Sequence, residues 1–180
     1  VPDQQIVAVG ARVRELRRER GLSLSALARE AGIGKGSLSE LETGHRNPTL
    51  ATLYAVAAPL RVSLGALLDF RVGAAVADGG FEATLLHAER GPSAVSETFL
   101  LGAAPGTTRS SPAHGPGVSE QLVVLEGSCR VRWGAPGQEQ EQVVAAGGHL
   151  AWPGDVPHGY DVVGETELRA IDVVRTPITD

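Results

Sequence analysis

The sequence predicts an α+β chain in two parts, a five-helix unit followed by an all-β barrel or sandwich. Three observations carry this. Apolar residues recur at helical spacing up to about Leu68, then alternate in short runs from Phe81 onwards. Between these regions, Asp69 to Gly80 (DFRVGAAVADGG) loses helical periodicity and gains glycine. The charge divides at the same place. Residues 1–72 hold ten Arg and Lys against seven Asp and Glu, while residues 73–180 hold six against fourteen. A basic half and an acidic half imply two jobs, with nucleic acid the natural partner of the first. The expected division is residues 1–70, a linker at 71–80, and residues 81–180.

Composition narrows the classes. The 180 residues suffice for two small domains. Cys129 is the only cysteine, which excludes an intrachain disulfide and a cysteine zinc cluster. No apolar run approaches the ~18 residues that a membrane span needs. The N-terminal VPDQQ shows no signal-peptide pattern, so a cytoplasmic protein with no membrane partner is expected. Lys35 is the only lysine among 16 basic residues, which fits the codon usage of a GC-rich bacterium.

The helical elements can be justified in order. Val9, Val13 and Leu16 place an amphipathic helix over Gln5 to Arg20. In the stretch from Leu22 to Pro48, Ser23 is a suitable N-cap and Gly32 a suitable stop for a second helix. A third helix runs from about Lys35 to Thr43, with Leu38 and Leu41 facing a core and Lys35, Ser39 and Glu40 outside. Two short helices across a tight turn make a helix-turn-helix. Thr49 caps a fourth helix with Leu50, Leu53, Tyr54 and Ala57 as its buried stripe. Ser63 caps a fifth, Leu64 to Leu68.

From Val9 to Leu68 the run resembles the Cro/repressor (XRE) family, whose domain is a five-helix, lambda-repressor-like fold. The matching pieces are RRERGLS, LAREAGI, LSELETGHRNPTL and VSLGALL. The resemblance implies an Arg17–Glu42 pair between the first and third helices. It also implies a bacterial regulator that binds a double-stranded DNA operator as a homodimer. The third helix would enter the major groove. Lys35 can donate to guanine or phosphate, Ser37 and Ser39 can donate or accept, and Glu40 can accept from cytosine N4. Ser23, Thr43, Arg46 and Asn47 are the expected phosphate contacts, which set register without reading sequence.

The second half resembles a cupin, a jelly-roll barrel, through Gly106 to Gly127 (GTTRSSPAHGPGVSEQLVVLEG) and Gly147 to His158 (GGHLAWPGDVPH). Glu120 and Gly127 fit the first cupin motif; Gly147, Pro153 and His158 fit the second. Cupins hold a metal with two histidines and a glutamate from the first motif and one histidine from the second. Here Pro112 stands at the first histidine position, leaving His114, Glu120 and His158. Those three could hold iron or zinc; otherwise the barrel holds an organic effector or nothing. With Glu120 inward, alternation also turns Leu122, Val124 and Glu126 inward, and Tyr160 accompanies His158. Cys129 shares a face with Val131 and is expected to be buried and inert.

The combined architecture implies a transcriptional regulator whose barrel senses a small-molecule effector. Two alternatives stand beside it. One is a mononuclear non-haem iron enzyme of the phosphonate-epoxidase type, opposed by the scarcity of anion-binding side chains in the barrel. The other is a DNA binder whose cupin only dimerises.

Overall fold

The computed structural model describes residues 4–69 and 71–178. Residues 1–3, 70, 179 and 180, which belong to the two expected domain ends and the junction, lie outside the described residues. Five helices come first: α1 (Gln4–Glu19), α2 (Leu24–Glu30), α3 (Lys35–Glu42), α4 (Leu50–Ala57) and α5 (Leu64–Leu67). Each polar cap expected from the sequence is made. Ser23 Oγ accepts from the Ala26 N–H at 3.1 Å, Thr49 Oγ1 from Thr52 at 3.1 Å and Ser63 Oγ from Ala66 at 3.4 Å. Gly32, just beyond α2, has φ +66°, a left-handed conformation that glycine takes without strain. Val13, Leu16, Leu27, Leu38, Leu41 and Leu53 are buried together, each contributing roughly 2 kcal/mol by leaving water.

Arg17 and Glu42 fix α1 to α3. The guanidinium donates to both carboxylate oxygens, at 2.6 and 2.8 Å, and to the Leu22 carbonyl at 2.9 Å. A bidentate pair holds planar geometry more firmly than a single contact. The third helix is therefore held in place from its buried side, and Lys35, Ser39 and Glu40 on its other face are exposed.

Ten antiparallel strands follow: β1 (Ala75–Asp78), β2 (Phe81–Arg90), β3 (Ala94–Ala103), β4 (Thr108–Ser111), β5 (Ser119–Glu126), β6 (Ser128–Trp133), β7 (Gln140–Ala145), β8 (His149–Pro153), β9 (His158–Val162) and β10 (Leu168–Pro177). They form a six-stranded sheet in the order β1-β2-β3-β10-β5-β8 and a four-stranded sheet in the order β4-β9-β6-β7. Two such sheets closing on a shared core make the cupin jelly roll. The stretch read as a linker contains β1, paired with β2 from Ala75–Thr84 to Asp78–Phe81. Ala74 and Val76 alternate into the core, a pattern too short to register as a strand in the sequence.

Leu122 and Val124 face inward as alternation requires, but Glu126 is exposed. The cause is a bulge: β10 pairs Ala170 with Val124 and Arg169 with Glu126, leaving Leu125 unmatched. An extra residue reverses the inside–outside register beyond it. Gly127 follows with φ +76°, and a Cβ there would lie 2.4 Å from the Glu167 carbonyl oxygen, so no larger residue fits.

The helices and strands meet at two polar points. At the first, Glu97 of β3 is fully buried against the start of α5. Its Oε1 accepts from the Ser63 hydroxyl and from the Gly65 N–H at 2.7 Å, and its Oε2 has no partner. Burial pushes the carboxyl up to about 7, and the two hydrogen bonds only partly offset this. Its folded value thus lies above the ordinary 4.5, and the folded state holds the proton more tightly than the unfolded chain. Stability from this group is greatest below about 4.5 and is lost as pH rises through about 7. Thermal melts of the wild type and Glu97→Gln across this window should show a melting-temperature difference that moves against the wild type with rising pH. A difference independent of pH would contradict the buried, proton-binding carboxyl.

Candidate functional site

Two sites emerge, one on each half. On α3, Leu38 and Leu41 are buried while Lys35, Ser39 and Glu40 are exposed and Ser37 is half-buried. Ser23, Thr43, Arg46 and Asn47, before and after this helix, are exposed as well. The expected set thus lies at the surface around one helix, but its members are not equally free. Arg46 Nη1 donates to Ser37 Oγ at 3.2 Å and stands 3.7 Å from Glu40 Oε2, which partly compensates a carboxylate on this face. Thr43 Oγ1 donates to the Ser39 carbonyl at 2.8 Å and lies 2.9 Å from His45 Nδ1. Lys35 makes no side-chain hydrogen bond or ion pair among the described residues, so its ammonium is available to a ligand.

In the barrel, His114, Glu120 and His158 each present a donor atom, and these atoms all lie within 4.8 Å of one another. The strands explain the convergence. Glu120 is on the inward face of β5, His158 opens β9, and His114 follows β4 with its backbone N–H donating to the Gly154 carbonyl at 2.9 Å. All three are buried. His158 Nδ1 donates to the Val156 carbonyl at 3.0 Å, which leaves the Nε2 lone pair facing inward, 3.3 Å from Glu120 Oε1. His114 Nε2 is 2.9 Å from the same oxygen. Neither approach has hydrogen-bond alignment, and both Glu120 Oε1 and His158 Nε2 remain unpartnered. Tyr160 donates its hydroxyl to Glu120 Oε2 at 2.8 Å and orients the carboxylate.

The electrostatics agree with the geometry. Burial would raise the Glu120 carboxyl, but the two histidines and the Tyr160 hydroxyl outweigh it and hold the group ionised. Burial drives His158 towards its neutral form. An ionised oxygen and an imidazole lone pair facing each other in a buried site form the donor set of a divalent cation, so the residues fit a metal. Pro112 supplies no donor, so His114, Glu120 and His158 are the three donor groups the described residues bring together here. A cleft of about 730 Å³ lies elsewhere, between α1, α5 and β1, and gathers no such cluster among the described residues.

Four residues around this site escaped the sequence reading. Arg109 is buried on β4, with Nη2 donating to Ser111 Oγ at 3.1 Å and Nε without a partner. Trp152 and Asp172 are buried with Nε1 and Oδ1 unpartnered, and burial raises the Asp172 carboxyl well above its ordinary range. Tyr54 was expected in the helical core. It is buried, but its ring stacks on His114, with centroids 3.4 Å apart and planes 16° apart. This is the second meeting point of the helices and the barrel. Cys129 is buried, and burial pushes its thiol up to about 12, so it is not a reactive nucleophile.

The sequence and fold have clear relatives. The helix-turn-helix family profile HTH_3 matches residues 13–67. The HTH-type transcriptional regulator SutR of Escherichia coli is 28% identical over 173 residues, covering 92% of this chain and 93% of its own. The regulator y4dJ of Sinorhizobium fredii is 46% identical over 55 residues, 31% of this chain and 71% of that one. A crystal structure of an HTH_3 family transcriptional regulator from Vibrio cholerae superposes with a TM-score of 0.83 over 97% of this chain and 98% of that one, at 26% identity. These relatives are named as regulators, and the SutR and Vibrio cholerae matches extend through the barrel as well as the helices. No described helix is long and apolar enough to cross a membrane. The chain belongs to the XRE-type helix-turn-helix transcriptional regulators, and it is a DNA-binding regulator with a cupin barrel rather than an enzyme.

Proposed function

We propose that this regulator works in the bacterial cytoplasm as a homodimer, reading an operator through residues 1–70 and sensing a small ligand or metal through residues 81–180. The observation that carries the sensor reading is the Tyr54–His114 stack. It joins a helix of the DNA-binding unit to a member of the barrel's donor set. Whatever binds at that set acts on a residue that α4 touches, and a ligand favouring one placement of the helices would change operator affinity.

On the DNA side, Lys35 reads guanine or holds a phosphate, while Ser37, Ser39 and the Arg46-supported Glu40 meet base edges. Ser23, Thr43, Arg46 and Asn47 hold the backbone. Two copies placed about one helical turn apart on the DNA would engage both half-sites. On the barrel side, His114, Glu120 and His158 would hold Fe(II) or Zn(II). Such an ion would supply positive charge to the lone pairs that face one another, and Leu122, Val124 and Tyr160 would wall the space beside it.

With an operator selected in vitro, Lys35→Ala should weaken binding about tenfold without changing the melting temperature. Wild-type affinity should fall steeply with salt as counterions are released. Unchanged affinity in the variant would remove Lys35 from the interface, and a flat salt response would remove the phosphate contacts. Protein purified without chelator or affinity-column metal should carry about one iron or zinc per chain, absent in His114→Ala. The ion should also change operator affinity. Metal-free wild type, with no effect of added metal or small ligand on operator binding, would leave the barrel as a dimerisation module only.

A further inference from the structure

The buried Asp172 carboxyl acts on Arg109 only through longer-range electrostatics. Among the described residues Arg109 has no carboxylate in direct contact and makes no ion pair. Its side chain is more than nine-tenths buried. A buried guanidinium with no carboxylate hydrogen-bonded to it is costly, and its geometry suits a carboxylate. Two aromatic faces partly compensate it: its Cζ lies 5.6 Å from the Tyr160 ring centroid and 6.0 Å from that of Tyr54. The Nε donor is unpartnered, as is the indole N–H of Trp152, whose ring lies 5.9 Å from that of Tyr160. Beside Tyr160 the barrel thus offers two buried, unused N–H donors, those of Arg109 and Trp152, the first of them charged.

The occupant's shape is suggested by Tyr54 itself. A phenol ring from α4 already lies flat on His114 and beside Arg109, but it brings no negative charge. A single guanidinium suits one carboxylate; a phosphate or sulfate dianion would call for several more donors. The flat surface of His114 suits a ring.

We infer that the barrel binds a small aromatic carboxylate, its anionic group on Arg109 and its ring in the place of the Tyr54 phenol against His114, so that ligand binding and seating of α4 exclude one another. The inference rests on the sensor reading and deepens it, since it names the ligand class and the element displaced. Seating α4 and filling the site become two states of one position, and a ligand that binds only the unseated state shifts the balance between them.

Titration calorimetry on the full chain tests this, using benzoate, 4-hydroxybenzoate and salicylate as probes, with benzamide as neutral isostere and inorganic phosphate as second anion. At least one aromatic acid should bind the wild type about tenfold or more tighter than benzamide or phosphate does. Tyr54→Leu, which keeps an apolar residue on α4 but removes the ring, should bind it at least about tenfold tighter. Arg109→Gln should lose the preference for the acid over the amide, and Arg109→Lys, which keeps the charge, should retain it. Melting curves and operator binding show that each variant is folded. Equal binding of benzoate and benzamide, an acid preference that survives Arg109→Gln, or no acid bound by Tyr54→Leu would overturn the inference. The sensor reading fails separately. If the acids do not bind but metal still changes operator affinity, the sensor stands and this ligand class falls; if neither acid nor metal changes it, both fall.

Discussion

The Tyr54 ring on His114 is the contact on which the rest of the structure depends. Beside it, Glu97 and a continuous apolar core through Leu68, Ala74 and Val76 also join the helices to the barrel. Burying a tyrosine ring removes on the order of 150–250 Å² from water, and a stacked partner adds roughly 0.5–1.5 kcal/mol. That is large for one residue and small against the stability of a domain. An interaction of this size can hold two units together and still be reversed by a ligand. The same position therefore serves packing in one state and recognition in the other.

The two halves use buried charge differently. Arg17 and Glu42 satisfy each other with three hydrogen bonds in all, including the one to Leu22, and so make a rigid joint. In the barrel, Arg109, Asp172, Trp152 and His158 each keep an unpartnered polar atom. Buried polar atoms are paired in most of a protein, and several orphans in one interior mark a place shaped for something else. The rigid joint fixes α3 at one angle to α1. The unsatisfied interior is where a cation or an anion gains most by binding.

The helical half was legible because its signals are local. Caps at Ser23, Thr49 and Ser63, the stop at Gly32 and the spacing of Leu38 and Leu41 each act within a few residues, and each appears where expected. The convergence of His114, Glu120 and His158 was legible only through the spacing of two motifs, since three strands bring these residues together. Glu126 was misplaced because a bulge at Leu125 leaves no mark in an alternating pattern. β1 was hidden because Ala75–Asp78 becomes a strand through pairing with β2, not through its own propensity. Tyr54 and Arg109 were missed for a deeper reason. Both meet the site through contact between the two halves, and no one-dimensional pattern states which faces will touch.

The most direct test of coupling runs opposite to an operator assay. Zn(II) affinity can be measured by competition with a chelator, in the presence and absence of a saturating operator duplex. Coupling between two sites is reciprocal. If the barrel and the DNA-reading helices share an equilibrium, operator DNA should change Zn(II) affinity about fivefold or more, by the same factor by which zinc changes operator affinity. Identical zinc affinities with and without operator would contradict coupling through the His114–Glu120–His158 set.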